Sequence, residues 1–293
     1  MDELLYLLNV EDLEVLTNYD KSKALNALEE GKVIFLPSYS FSLQNNEKAL
    51  VLCDKILDGK HKNVSYDCRK QKLGGLRQDE ALASTLKPFM HRYAEFAKEL
   101  LVRLMPQYRN DLHWGRTSYR PAEVKGRQKS KRKDDSRLHV DSFPATPVNG
   151  RRILRVFSNV NPHNEPRIWH LGEPFTEVLK RFAPTIKNYS AIRAKLLHLI
   201  KATKMQRSAY DHYQLHLHDG MKLSDSYQQS TAKKLVEFPS QSSWIVFTDQ
   251  VSHAALGGQF LLEQTFYLPV EAMSKPELSP LRLWEKEKQA ILV

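Results

Sequence analysis

Residues 111–172 and 236–272 read as two strand-rich blocks, and the largely helical stretch 173–235 stands between them. Regular alternation of strand and helix, the mark of a doubly wound sheet, is absent. The later strands must instead fold back beside the earlier ones, as in a β-barrel or sandwich with helical padding. We therefore expect a mainly β core with helical additions, an α+β chain of one domain over 1–293. Residues 1–110 form a helical part packed on the barrel, 173–235 a helical insertion and 273–293 a tail.

Within that frame, Leu4, Leu5, Leu8, Leu13, Leu16, Ala24, Leu25 and Leu28 carry helical spacing. Lys32–Pro37 reads as a short strand, Asn46–Leu57 as a helix and Asp58–Leu76 as a polar loop. From Asp79 to Met105 the apolar positions Leu82, Leu86, Phe89, Tyr93, Phe96, Leu100 and Leu104 recur in steps of three and four. They predict a long amphipathic helix stopped by Pro106. His113–Arg120 is a strand, Pro162–Leu171 a loop, and the helical block breaks near Pro184 and Gly220. Ser243–Phe247 and Gln259–Leu268 are strands, and Leu283–Leu292 is a closing helix.

The chemistry concentrates in Ser136-Arg137-Leu138-His139-Val140-Asp141. On a strand alternate side chains share a face, so His139 and Asp141 project together. One imidazole and one carboxylate make two-thirds of a 2-His-1-carboxylate triad, which holds non-haem Fe(II) on one face and leaves the other open. His253, after the strand ending at Phe247 and before Gly257-Gly258, supplies the second histidine. The turn Pro147-Val148-Asn149-Gly150 follows the pair and leads into the β-prone run Arg151–Asn161. Arg155 lies on the face of that run shared with Ile153, Phe157, Asn159 and Asn161. A cation on an apolar strand needs an anion beside it, and a guanidinium forks onto a carboxylate. Two further clusters compete. His212 and His216 stand one helical turn apart beside His218 but lack a general-base Glu, and His163-Asn164-Glu165 sits in a proline-flanked loop.

The formal charge of +10 favours anionic partners. Six of its cations (Lys125, Arg127, Lys129, Lys131, Arg132 and Lys133) form a loop feeding straight into the His139 segment, which would place them at the mouth of a site there. Aromatic residues are not interleaved with them, so nucleic acid is disfavoured. The two cysteines, Cys53 and Cys68, suit a reducing compartment. No secretion signal and no apolar run of membrane-spanning length is evident.

Three segments together resemble the bacterial Kdo 3-hydroxylase family: Leu138–Pro144, Gly150–Pro162, and Ser252–Leu256 with Glu263–Phe266. The resemblance covers roughly residues 110–272, Glu173-Pro174-Phe175 and His218–Lys222 included. It implies a double-stranded β-helix core of the jelly-roll type and an Fe(II)/2-oxoglutarate-dependent dioxygenase using O2, with ascorbate in a supporting role. It implies hydroxylation at C3 of Kdo, the acidic sugar of the lipopolysaccharide inner core, to give Ko. Carried across residue by residue, His139, Asp141 and His253 are the iron ligands. The wider superfamily often has an arginine about ten residues past the last histidine, where this chain has Gln264. That departure moves the co-substrate carboxylate to Arg155, with Ser136, Asn159, Gln264 and Tyr119 as further cofactor-pocket residues and Arg152 as the fallback. A Kdo-bearing lipid A as substrate implies a cytoplasmic protein lying peripherally on the anionic inner face of the inner membrane. Two other readings stand beside this one: a similar oxygenase acting on protein or nucleic acid, and a basic binding module without catalysis.

Overall fold

The sheet that carries this molecule is assembled from strands distant in sequence. The computed structural model describes residues 4–51, 54–126 and 130–293; Cys53, Arg127 and Lys129 lie outside them. Among the described residues the chain runs β1 (Leu5–Leu7), α1 (Asn18–Glu29), β2 (Val33–Leu36) and α2 (Asn45–Val51). Then come β3 (Val64–Asp67), β4 (Lys72–Gly74), α3 (Glu80–Leu104) and β5 (His113–Arg120). The centre is β6 (Arg152–Asn159) and β7 (Arg167–Leu171), followed by α4 (Phe175–Phe182), α5 (Ala191–Leu199), α6 (Ala209–Leu223) and α7 (Asp225–Ser230). The chain closes with β8 (Lys234–Phe238), β9 (Ser242–Phe247), β10 (His253–Gly257), β11 (Leu261–Leu268) and α8 (Pro280–Lys288).

The result is a mixed α/β structure around a large sheet of order β1-β2-β9-β6-β11-β5-β3-β4, faced by a small one, β10-β7-β8. Among the described residues only β1 and β2 pair in parallel. Strand parity then assigns side chains to two faces. Towards the small sheet point Phe157, Trp244, Val246 and Leu261, which pack with Trp169, Leu171, Val236 and Phe238. Away from it point Val156 and Leu262, whose carbonyls both accept from the Tyr93 hydroxyl on α3, at 3.0 and 3.3 Å. A buried hydroxyl with two acceptors keeps the long helix in register with the sheet behind the site.

The long helix and the strands at β2, β5, β6, β9 and β11 agree with the periodicity, and α3 begins at an Asp79 cap. Elsewhere tertiary pairing overrode local pattern. Leu5–Leu7 is a strand, not the start of a helix, because it adds to the β2 edge. The polar stretch 58–76 contains the β3–β4 hairpin, whose Val64 and Tyr66 are buried against β5 while the turn takes positive φ at Gln71. Arg167–Leu171, expected in a loop, is the middle strand of the small sheet. Gly220 does not break α6; it lies inside it, where an added Cβ would come within 3.2 Å of the Phe182 ring. The last helix starts and ends earlier than expected, at Pro280 and Lys288.

Candidate active site

The His139–Asp141 segment is not a regular strand. It touches β10 through one isolated antiparallel bridge, with His139 N–H donating to the His253 carbonyl at 3.0 Å and His253 N–H to that of His139 at 2.9 Å. Asp141 N–H donates to the Thr248 carbonyl at 2.7 Å. These three bonds hold two histidines and a carboxylate together from segments more than a hundred residues apart. One potential ligand atom from each of His139, Asp141 and His253 lies within 4.8 Å of the others, and all three residues are buried.

The ring orientations favour a metal. His139 Nδ1 stands 2.8 Å from the Arg137 carbonyl, and His253 Nδ1 stands 2.8 Å from the Val251 carbonyl. A carbonyl can only accept, so each Nδ1 carries the proton and each Nε2 is left with its lone pair. Trp169 stacks on the His253 ring at 5.1 Å, fixing its plane from β7. Burial pushes the His139 and His253 pKa values below the ordinary imidazole range, so both rings are neutral. Burial alone would push the Asp141 carboxyl up, but the Arg155 guanidinium holds it well below the usual carboxylate range. Two neutral imidazoles and one carboxylate are the protonation states that bind a divalent cation. Asp141 Oδ2 is buried with no hydrogen-bond partner, its nearest cation being Arg155 Nη2 at 3.2 Å. The other oxygen, Oδ1, stands 3.6 Å from His139 Nε2, a spacing that lets the two share an ion.

The triad opens into a cavity of about 770 Å³. Arg120, Arg155 and Arg167 line one wall with Glu263; Lys60, Lys62, Arg132 and Lys133 line the mouth with Asp135, and the buried Lys222 lies inside it; Phe143, Pro144, Phe157 and Trp169 supply apolar surface. His218 lies on the rim with its ring 5.5 Å from that of His139. The three arginines differ in occupation. Arg120 forks onto Glu263 at 2.7 and 3.1 Å, and Arg155 bridges Glu263 and Asp141, each at 3.2 Å. Arg167 has no carboxylate partner among the described residues: its Nη1 donates to the Gly258 carbonyl at 2.8 Å, and its buried Nε, like that of Arg155, has no partner. Burial lowers its pKa to about 9, which leaves it a cation at neutral pH.

Of the residues singled out in the sequence, His139, Asp141, His253 and Arg155 meet in this cavity. Ser136 does not: it is exposed and closes a turn on Asp134, its N–H and hydroxyl donating at 2.9 and 2.6 Å. Asn159 braces the loop beyond β6, donating to the Glu165 and Phe238 carbonyls at 3.0 Å each. Gln264 accepts from the Thr117 hydroxyl at 2.6 Å, and Tyr119 packs edge-on to Phe89; both face α3, behind the sheet. Parity explains the error: Gln264 is one residue out of phase with Glu263, which does line the cavity. Arg152 is wholly buried on that same far face, ion-paired to Asp249 at 2.8 Å. His212 and His216 meet edge-to-face outside this cavity, and the His163–Glu165 loop stays out of its lining. Lys60, Lys62, Arg120, Asp135, Arg167, Lys222 and Glu263 were not selected from sequence. Only Arg120 and Glu263, charges inside β-prone runs, carried a local signal.

The chain matches the family model described as 3-deoxy-D-manno-oct-2-ulosonic acid (Kdo) hydroxylase over residues 12–290. No curated protein matches. Among solved structures it is similar to the Kdo hydroxylase KdoO, a non-haem Fe(II) alphaketoglutarate-dependent dioxygenase, in complex with alphaketoglutarate and Fe(III). The identity is 43%, the coverage 99% of this chain and 97% of that one, and the TM-score 0.94. The apo form and the cobalt(II) complex of KdoO each give 44% identity, the same coverage and a TM-score of 0.95.

Proposed function

The chain belongs to the Kdo hydroxylase family, and from that premise we propose that it is an Fe(II)- and 2-oxoglutarate-dependent dioxygenase hydroxylating C3 of a Kdo residue in Kdo-lipid A, giving Ko. The carrying observation is the convergence of His139, Asp141 and His253 with both Nδ1 atoms committed to backbone carbonyls. His139, Asp141 and His253 would hold the iron, which when bound would supply the chemistry that couples oxidative decarboxylation of 2-oxoglutarate by O2, to succinate and CO2, to hydroxylation of the sugar. The protein's own part is to orient the ligands, exclude water and place two anionic substrates.

The far carboxylate of 2-oxoglutarate needs a cation without a resident partner. Arg155, the expectation from sequence, is engaged with Asp141 and Glu263, so we assign it to seating the Asp141 ligand. Arg167 is the wall cation whose charge no described carboxylate meets, and we assign the carboxylate to it. The lysines and arginines at the mouth then face the acidic sugar and its neighbouring phosphates. We read residues 1–293 as one catalytic domain, its facing sheets as a double-stranded β-helix core and its place as the cytoplasmic face of the inner membrane. Among the described residues no helix is long and apolar enough to cross a bilayer, which fits peripheral contact.

The test is anaerobic titration of Fe(II) and 2-oxoglutarate, followed by the visible metal-to-ligand charge-transfer band, on wild type and His139→Ala. The band should form in the first and be lost in the second. A folded wild-type protein without it would remove the oxygenase reading.

A further inference from the structure

We propose that α5 and the turn after it form the surface by which this protein seats on an anionic lipid bilayer, beside the active-site mouth. The proposal deepens the reading of a lipid-linked substrate and rests on it for its purpose, though not for its physical argument.

Between Glu177 and Asp211 there is no acidic residue, while Lys180, Arg181, Lys187, Arg193, Lys195, Lys201, Lys204 and Arg207 contribute eight cations. Inside this run the chain exposes apolar side chains that a water-facing helix has no reason to carry. Ile192 is 85% exposed, Leu199 76%, Ile200 62% and Leu196 55%. At about 100° per residue these four fall on a single stripe, while Ala194 faces the protein on the opposite side. Arg193 and Lys195 flank the stripe on its two edges. Apolar side chains that enter the acyl boundary, with long cations at the edges reaching headgroup level, are the pattern of a helix lying in a membrane interface.

Charge decides between occupants. A second copy of the chain docked symmetrically through this face would set cations against cations with no acid in the run to relieve them. An anionic bilayer meets both the apolar stripe and its cationic border. Position supplies the link to the site. Lys204 N–H donates to the Ala145 carbonyl at 2.9 Å, and Arg207 to the Pro144 carbonyl at 2.9 Å, within the loop whose Phe143 and Pro144 line the active cavity. Arg132 lines that cavity and also the neighbouring basic one, of about 440 Å³, between α5 and α6. A bilayer under α5 therefore brings its headgroups to the mouth.

The experiment is flotation of the full chain with phosphatidylcholine vesicles, with and without phosphatidylglycerol, for wild type and the double variant Ile192→Ser/Leu199→Ser. Both side chains project into solvent, so the fold is retained. Wild type should float only with anionic vesicles and release as salt rises; the variant should bind at least about tenfold more weakly. Turnover on a water-soluble Kdo glycoside should be equal in both, and turnover on vesicle-borne substrate should fall in the variant alone. Equal flotation of the two proteins, or none by wild type, overturns the proposal. A wild-type dimer that the variant converts to monomer would assign the face to a second copy and overturn it too. Flotation as expected without turnover on either substrate would leave the seating intact and remove the substrate reading instead.

Discussion

At the scale of the residue, the site is a problem in distributing charge. Two buried guanidinium groups, Arg155 and Arg167, and the part-buried Arg120 stand beside two buried carboxylates, Asp141 and Glu263; Arg120 and Arg155 pair with them, and Arg167 pairs with neither. Arg155 and Arg167 are therefore separable by mutation. Arg167→Leu should raise the Kd for 2-oxoglutarate by about tenfold to a hundredfold while Fe(II) binding stays near wild type, the loss expected of one charge-assisted fork. Arg155→Leu should weaken Fe(II) binding first, because Asp141 loses the group that orients it. Calorimetry with each ligand reads the split, and the reverse pattern would return the carboxylate to Arg155. The histidines make a second prediction. Their folded pKa values lie below the ordinary 6.5, so the unfolded chain takes up protons there that the folded chain refuses. The stability they allow is complete above about pH 6.5 and is lost as pH falls from there towards the folded values. The denaturant midpoint of the metal-free protein should fall below pH 6.5, and His139→Gln should flatten that slope.

At the scale of the element, the ligands depend on turns that are held from outside the cavity. Thr248, whose carbonyl takes the Asp141 amide, begins the turn between β9 and β10, and Asp249 beside it is wholly buried. Arg152, at the start of β6, grips Asp249 at 2.8 Å and donates to Gln250 at 2.6 Å, while Gln214 on α6 donates to the Asp249 carbonyl at 2.7 Å. The turn that delivers His253 is thus tied to a central strand and to the helical block. Removing one partner of a buried ion pair costs about 3–5 kcal/mol because the other charge is left uncompensated. Arg152→Met should lose that much stability in denaturant melts. Arg152→Met/Asp249→Leu should recover part of it, which a merely steric defect would not. The same element logic accounts for Gly172, where an added Cβ would stand 2.6 Å from the Ser252 hydroxyl, next to His253.

At the scale of the whole molecule, the formal charge of +10 is not spread evenly. Much of it gathers at the cavity mouth and along the run 178–210, which fits the anionic, lipid-linked substrate proposed above. Neutralising Lys60 and Lys133 together should raise KM for that substrate about threefold to tenfold, leave kcat near wild type, and flatten the dependence of kcat/KM on salt. An unchanged salt slope would place the steering charge elsewhere. The expected basic loop is right in part: Arg132 and Lys133 line the mouth, Lys131 turns away to Asp225, and Arg127 and Lys129 fall outside the described residues. The convergence of His139, Asp141 and His253 and the strands β2, β5, β6, β9 and β11 were legible, because ligand chemistry demands particular residue types and strand periodicity is local. Register could not. Whether Gln264 or Glu263 meets the cavity depends on how β11 pairs with β6 and β5, and a slip of one residue exchanges the faces. Lys60, Arg167 and Lys222 became neighbours only through folding, since nothing in their own segments records a partner from another. By itself the sequence determined which residue types could ligate an ion and where its main strands lie; the tertiary structure decided which cations are left without a carboxylate, because that depends on which carboxylates the fold has already set against them.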